Sequence, residues 1–440
     1  MFKELQDAIQ WVEKQTKFKP KTDLTRMQKA YDMLNIDLTH IKKIHVAGTN
    51  GKGTTLEFIM RILRVNNQKV GAFRSPYVLT FNERLSIGKE HISDDALLVY
   101  INEIYTLNQA FKDKYQEHLS FFELLTLMAF KYFYDQKVDF MVIEVGLGGL
   151  LDATNILNYD LSVITNIGYD HMHILGNSLE SIAKNKLGIV KKGNHLITIE
   201  DEAVKQQFID HCKHVDASLK FVKPLKIVET EPLRLQYNQR DIFVSAKGAF
   251  NAKNAALAIE AVKYFYPNLT HEQLKLAFRY SKVIGRFMAL SQNLYVDGAH
   301  NVSAMKALVD HLKAIKGNRT IKIIFSALGD KDINGMLDLL EEVSNHICIT
   351  SFPDPRFKSL KSYVRPGMLY NEDGLSAIHH YYKQRDVDEI VVITGSFHFI
   401  GYMMNTYKDY LLKKFKAEED ADRIEDNPSY YAKDIFEDEK

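Results

Sequence analysis

Residues Gly48-Thr49-Asn50-Gly51-Lys52-Gly53-Thr54-Thr55 follow the apolar run 44–47 and combine glycines with a lysine and paired threonines. Those types at that spacing suit phosphate. Gly48, Gly51 and Gly53 let the backbone curl, Lys52 reaches β/γ-phosphates, and Thr54 or Thr55 offers an oxygen to Mg²⁺. Helical apolar spacing over 56–63 predicts that the loop opens a helix, whose first N–H groups would face the anion. Gly53 separates Lys52 from the hydroxyl that follows the lysine directly in the common loop. A glycine turn kept for packing alone is the plain alternative.

Other candidates lie at the ends of apolar runs. Glu144 closes the run 140–145 beside Gly146-Leu147-Gly148-Gly149. A carboxylate there is costly unless it meets a cation, which makes Glu144 a candidate Mg²⁺ ligand; capping a helix or pairing with an arginine would also satisfy it. Asp170 and His171 follow the run 161–166, where His171 suits metal or phosphate and packing explains it equally. Tyr295-Val296-Asp297-Gly298-Ala299-His300-Asn301 repeats the pattern of strand, small turn and polar helix start, placing Asp297 and His300 toward a ligand. Gly395-Ser396 closes a late strand and reads equally as a turn. Lys186, between apolar neighbours on an expected helix, reads by composition as a surface lysine. His211-Cys212-Lys213-His214 has metal-like types, but its lysine and polar surroundings predict an exposed helix face.

The elements that must position these residues alternate short apolar runs with longer helical patterns. Strands are expected at 70–73, 140–145, 161–166 and 195–199, then at 294–296, 321–325, 346–350 and 389–394. The fold class is α/β: a P-loop parallel-sheet ATPase domain followed by a smaller Rossmann-like α/β domain. The expected domains span 1–283 and 284–416, with the run 282–287 as linker and 417–440 as an acidic flexible tail. A chain of 440 residues exceeds one ordinary core.

Lysine plus arginine (57) balance aspartate plus glutamate (56), so no global basic field exists to hold nucleic acid. Cys212 and Cys348 fit no metal or redox spacing, the N-terminus is charged, and no apolar segment reaches membrane-spanning length. A cytoplasmic monomer with small-molecule partners, no nucleic acid and no membrane is expected.

Several motifs recur in a specific order. They are Gly48 to Thr54, Ser75-Pro76, Phe81-Asn82-Glu83-Arg84, Phe122-Glu123, Glu144 to Gly149 with Asp152-Ala153-Thr154-Asn155, and Asp170-His171 with Leu175-Gly176. Gly285-Arg286-Phe287 and Asp297 to Asn301 complete the series. Together they resemble folylpolyglutamate synthase and dihydrofolate synthase, Mur-type ATP-dependent ligases, from about Lys42 to Gly401.

The resemblance implies roles. Residues 48–55 would hold ATP with Asn254, Arg286, Asp297 and His300; Thr54, Ser75 and Glu144 would serve a first Mg²⁺ and His171 a second. Lys52, His171 and Lys186 would be catalytic, Lys186 matching a lysine that becomes carbamylated. Asp152, Thr154, Ser75, Pro76 and Ser396 would face the substrate. Arg74 and Tyr77 stand where such enzymes commonly carry threonine and histidine, Leu150 where arginine is common, and Asn185 where glutamate is common. Phe250-Asn251 stands where histidine-glutamine is common and Val302 where proline is common, and the departures near Ser75 and Asp152 leave acceptor specificity open.

The implied reaction adds L-glutamate to the γ-carboxylate of tetrahydrofolate through an acyl phosphate. Glutamate addition to dihydropteroate, alone or as a second activity, uses the same chemistry. A P-loop ATPase switch without ligase chemistry is the alternative of a different class, and it has no need for the second domain with Asp297 and His300.

Overall fold

The computed structural model describes the chain except residues 18, 20–21, 282, 383–385, 387 and 407–440. The expected acidic tail at 417–440 and the end of the expected second domain, 407–416, lie outside the described residues.

The chain forms two units. Of the described residues, the first comprises those in 1–227, 235–244 and 251–281, and the second those in 228–234, 245–250 and from Val283 to Thr406. The units therefore interleave in sequence between 228 and 250, where a single boundary near 283 was expected.

In the first unit, eight strands are β1 (Lys42–Ala47), β2 (Val70–Phe73), β3 (Leu85–Ile87), β4 (Glu90–His91), β5 (Phe140–Glu144), β6 (Leu161–Ile164), β7 (His195–Ile199) and β8 (Ser218–Val222). Every residue of β2, β5 and β6 is buried, as expected of a parallel sheet covered on both faces. The sheet order is β4-β3-β2-β5-β1-β6-β7-β8. β1 pairs in parallel with β5 and β6, with Val46 opposite Glu144 and Ala47 opposite Ile164. The chain builds first on one side of β1 and then on the other, so the end of β1 is a switch point, where open α/β sheets bind ligands.

The run 161–166 leaves the sheet after Ile164. The Thr165 N–H still donates to Ala47 O, but Asn166 turns its carbonyl to the Thr49 N–H at 3.1 Å. Thr165 thus still bonds the end of β1 through its backbone, while its hydroxyl and Asn166 serve the glycine loop. Helices Leu5–Glu13, Thr25–Leu34, Asp94–Tyr115 and Phe121–Asp135 share a core that includes Val12, Met27, Ile101, Phe111 and Phe130.

Residues 226–243 add β9 (Lys226–Thr230), β10 (Leu233–Tyr237) and β11 (Arg240–Phe243), none expected from the sequence. The second unit contains β12 (Met288–Ser291), β13 (Leu294–Asp297), β14 (Ile321–Phe325), β15 (His346–Thr350), β16 (Leu369–Asn371) and β17 (Ile390–Thr394) in the order β12-β13-β17-β14-β15-β16. All pairings are parallel except β12 with β13. Its core gathers Met305, Leu312, Phe325, Leu337 and Val392.

Candidate active site

The loop after β1 is held open by its neighbours. Gly48 has φ of +146°, and a Cβ there would stand 1.8 Å from Thr165 Oγ1, so no other residue fits. Gly51, at φ of +84°, is the N-cap of the Lys52–Val65 helix and meets the Asn254 side chain. The Asn50 N–H donates to Asn166 Oδ1 at 2.9 Å, the Thr165 hydroxyl donates to Asn50 O at 2.6 Å, and Thr49 Oγ1 exchanges hydrogen bonds with Gly168. Thr55 Oγ1 donates to Asn254 Oδ1 at 3.3 Å, which ties the Asn251–Phe265 helix to the loop.

Two lysines converge on one carbonyl. Lys52 Nζ donates to Gly48 O at 3.1 Å and Thr49 O at 3.2 Å, and Lys186 Nζ donates to the same Gly48 O at 3.0 Å. Lys186 is 4% exposed on the Leu179–Leu187 helix, which overturns the surface reading from composition. Burial, reinforced by the Lys52 charge, pulls its pKa down to about 7. A large share of Lys186 is therefore neutral amine at neutral pH.

Glu144 is 3% exposed at the end of β5, and its Oε2 accepts the Ser75 N–H at 3.3 Å. Gly53 lies beside the same oxygen, and Thr54 is buried in the first turn of the helix. Among the described residues no group of three or more His, Cys, Asp or Glu could hold a metal. A lone carboxylate with hydroxyls is a hard, sparse donor set that fits Mg²⁺, which keeps waters and substrate phosphates as its other ligands. His171 takes a left-handed conformation, φ +49°, with its N–H on Asp170 Oδ1 at 2.9 Å and a partly exposed ring. A non-glycine residue held in that region stores strain of a kind that concentrates at functional sites.

Asp152 and Thr154 are committed to their own loop. Asp152 Oδ2 accepts the Leu147 N–H at 2.9 Å, while its Oδ1 accepts the N–H and the hydroxyl of Thr154 at 3.0 and 2.5 Å. Thr154 is fully buried, so in this structure its side chain faces the protein and not a substrate. The hydroxyl that donates to Asp152 accepts from His45 Nε2 at 2.8 Å, which sets the histidine tautomer as Nε2–H. His45 stacks on Tyr159, and burial holds its pKa well below the usual value.

In the second unit, Asp297 Oδ2 accepts the Phe287 N–H at 2.7 Å and Oδ1 the Ala299 N–H at 2.8 Å. Burial raises its pKa although Arg286 pulls the other way. His300 Nδ1 contacts Gly298 O, and the Arg286 guanidinium lies 4.1 Å over the Phe397 ring. Arg286, Asp297 and His300 are thus brought together at the end of β13, with buried Ser396, whose Oγ accepts the His398 N–H, after β17.

A model of the Mur ligase middle domain matches residues 46–262, and one of the Mur ligase glutamate ligase domain matches 285–397. The chain is 35% identical over 423 residues to the dihydrofolate synthase/folylpolyglutamate synthase of Bacillus subtilis (strain 168), covering 91% of this chain and 98% of that one. This chain belongs to the Mur ligase family. Its folylpolyglutamate synthase branch is also the branch of two solved structures that resemble it. The Mycobacterium tuberculosis folylpolyglutamate synthase complexed with ADP and AMPPCP matches with TM-score 0.83 and 27% identity, over 92% of this chain and 98% of that one. The bifunctional folylpolyglutamate synthase/dihydrofolate synthase of Yersinia pestis, complexed with AMPPNP and Mn ion, matches with TM-score 0.81 and 28% identity over the same shares.

Two features of this Mur ligase were not singled out from its sequence. His45 looks like any residue of an apolar strand, and only the Asp152-Ala153-Thr154-Asn155 motif hints that something buried must hold that loop. Arg84 belongs to a motif but had no role. It is 6% exposed, with the Tyr77, Phe81 and Phe121 rings 4.9, 5.4 and 5.3 Å from its guanidinium. Its Nε and Nη1 are enclosed without a hydrogen-bond partner, and burial pushes its pKa down to about 10. The cluster 211–214 forms the end of the Lys205–His214 helix, but Cys212 is buried, so only part of that face is exposed as expected.

Proposed function

We propose that this Mur ligase uses ATP to join L-glutamate to the γ-carboxylate of tetrahydrofolate, as a folylpolyglutamate synthase. The observation that carries the reading is the pair of lysines on the Gly48 carbonyl at the switch point of the first sheet, in a chain of this family. A carboxylate resists an amine because its charge repels nucleophiles and oxide leaves poorly. Phosphorylation removes both obstacles. A γ-carboxylate oxygen attacks the γ-phosphorus of ATP, the bond to the bridging oxygen breaks and ADP leaves; the glutamate amine then attacks the acyl carbon, losing a proton as phosphate departs.

Each residue has a part in this reading. The N–H groups of residues 48–55 and the Lys52 ammonium receive the phosphates, and Asn254 secures the loop from behind. Mg²⁺, when bound, would neutralise phosphate charge, with Thr54, Ser75 and Glu144 as its donors and His171 serving a second ion. The neutral amine of Lys186 is suited to attack CO2, forming a carbamate with loss of a proton and turning a cation into an anion. The family resemblance assigns Arg286 and His300 to ATP, with Asp297 holding the turn between them, and assigns Ser75, Pro76, Asp152 and Ser396 to the acceptor. Because Thr154 is enclosed, its contribution is to hold Asp152.

The Bacillus subtilis relative is named for both activities, which favours dihydropteroate as an additional acceptor. No helix among the described residues is long and apolar enough to cross a membrane, and the reading takes the chain as a cytoplasmic monomer. ADP release measured with tetrahydrofolate or glutamate omitted in turn tests the class. The ligase requires both and yields a product one glutamate longer; ADP release that needs neither identifies an ATPase switch.

A further inference from the structure

We propose that His45 is a positioning residue for the acceptor: through the Thr154 hydroxyl it sets the Asp152 carboxylate, and with it the loop 146–155. The inference rests on the folylpolyglutamate synthase reading and adds to that site a residue that touches no substrate.

His45 lies within β1, opposite Ile143 of β5 and Ser162 of β6, and is wholly enclosed. An imidazole in a covered strand is costly, because each ring nitrogen gives up water. Stacking on the Tyr159 ring, with centroids 3.9 Å apart and planes 13° from parallel, serves only its face. Among the described residues its Nδ1 has no hydrogen-bond partner. The ring's polar output is therefore its Nε2–H, which goes to Thr154 Oγ1 at 2.8 Å.

The chain of bonds has one direction. A carboxylate only accepts, so the Thr154 hydroxyl donates to Asp152 Oδ1 at 2.5 Å and its free lone pair takes the donor that the Nε2–H tautomer supplies. Tyr159 fixes the same residue through the backbone, donating its hydroxyl to Thr154 O at 2.8 Å. The other Asp152 oxygen accepts the Leu147 N–H at 2.9 Å, so the relay from His45 reaches both limbs of the loop.

Position gives the relay its purpose. Asp152 acts electrostatically on Lys186, which places its carboxylate near the lysines that meet at Gly48. The loop also rests on the helix of Lys186, since the Leu150 N–H donates to Asn185 O at 2.8 Å and Asn155 Nδ2 to Gly188 O at 2.9 Å. β1 thus carries the glycine loop from its carboxyl end and steadies the acceptor loop from His45. One strand holds the two loops in register.

The test separates positioning from packing. Full-length wild type, His45→Gln, His45→Asn, His45→Leu and Thr154→Val are compared by steady-state kinetics with tetrahydrofolate, with thermal melting followed in parallel. Glutamine carries an amide N–H to the depth of Nε2, whereas asparagine reaches only that of Nδ1 and leucine has no donor. His45→Leu, His45→Asn and Thr154→Val should raise the KM for tetrahydrofolate about tenfold, the loss of one net hydrogen bond, with the KM for ATP unchanged. His45→Leu should keep its kcat, because an acceptor contact made alike in ground and transition state moves KM alone. His45→Gln should hold the KM within about twofold of wild type even if it melts below His45→Leu, the reverse of the order that packing dictates. The double variant His45→Leu/Thr154→Val should do no worse than the worse single variant, since both cut one chain. Additive losses, a KM that tracks melting temperature, or an effect on ATP alone overturns the proposal. Should His45→Leu fail to fold, ¹⁵N NMR of histidine-labelled wild type decides: the ring must be the Nε2–H tautomer, and an Nδ1–H ring defeats the relay. Wild type that makes no glutamyl product defeats the ligase reading; wild type that makes it while His45→Leu keeps its KM defeats only this inference.

Discussion

The two parallel sheets end in polar clusters of opposite construction. At the end of β1, two lysines share the Gly48 carbonyl, a neutral partner. At the end of β13, the central group is the Asp297 carboxylate, and its two oxygens are occupied by the N–H groups of Phe287 and Ala299. The first cluster gathers cations, whereas the second centres on a carboxylate that serves its own turn. Burial works in both places against the charged form, lowering the Lys186 pKa and raising that of Asp297.

Removing charge from the first cluster should have the largest effect. Lys52→Ala is expected to lose roughly a thousandfold in turnover, because several kcal/mol of transition-state stabilisation go with the ammonium, while the melting temperature holds. Near-normal turnover would break the contrast between the clusters. Glu144→Gln comes next, raising the magnesium concentration needed for half-maximal rate; an unchanged titration would make Glu144 a structural carboxylate.

Lys186→Met should nearly abolish synthesis yet change stability in the opposite sense. The folded pKa of about 7 lies below the ordinary lysine value of 10.5, so between those values the unfolded chain binds a proton that the folded chain does not. Wild-type stability therefore rises with pH across that window, by at most about 1.4 kcal/mol per pH unit from this group, and the burial penalty is fully present below it. Urea unfolding from pH 7 to 10, without bicarbonate, should show the wild type gaining on Lys186→Met as pH rises. Parallel curves would mean that Lys186 is not held as a buried amine.

The smallest change expected is for Asp297→Asn. One acceptor facing a backbone N–H becomes a donor, which should cost about 1–3 kcal/mol in the second unit. Nucleotide affinity of the first cluster should persist. Loss of affinity with no change in melting would assign Asp297 to the ligand and not to its turn.

Legibility in the sequence followed range. The glycine loop could be read because its function depends on consecutive backbone N–H groups and on Lys52 within one turn, all encoded by neighbours. The strands 70–73, 195–199, 321–325 and 346–350 are readable because a covered parallel strand is mostly apolar, and the polar His195, Lys322 and His346 fall at less buried positions. The run 161–166 outlasts β6, since nothing local distinguishes Asn166 bonding along a ladder from the same residue bonding the loop at 49–50.

Alone, then, the sequence determined the phosphate loop, the α/β class and, through ordered motifs, the family. Tertiary structure decided which charges matter. Lys186 is an ordinary helix lysine until Gly48, far away in sequence, supplies a hydrogen-bond acceptor and the surrounding core removes its water. Arg84 is an ordinary arginine until three rings from two segments enclose it. Desolvation has no local code: it is the sum of what distant segments place around a group, and it exists only once the chain has folded.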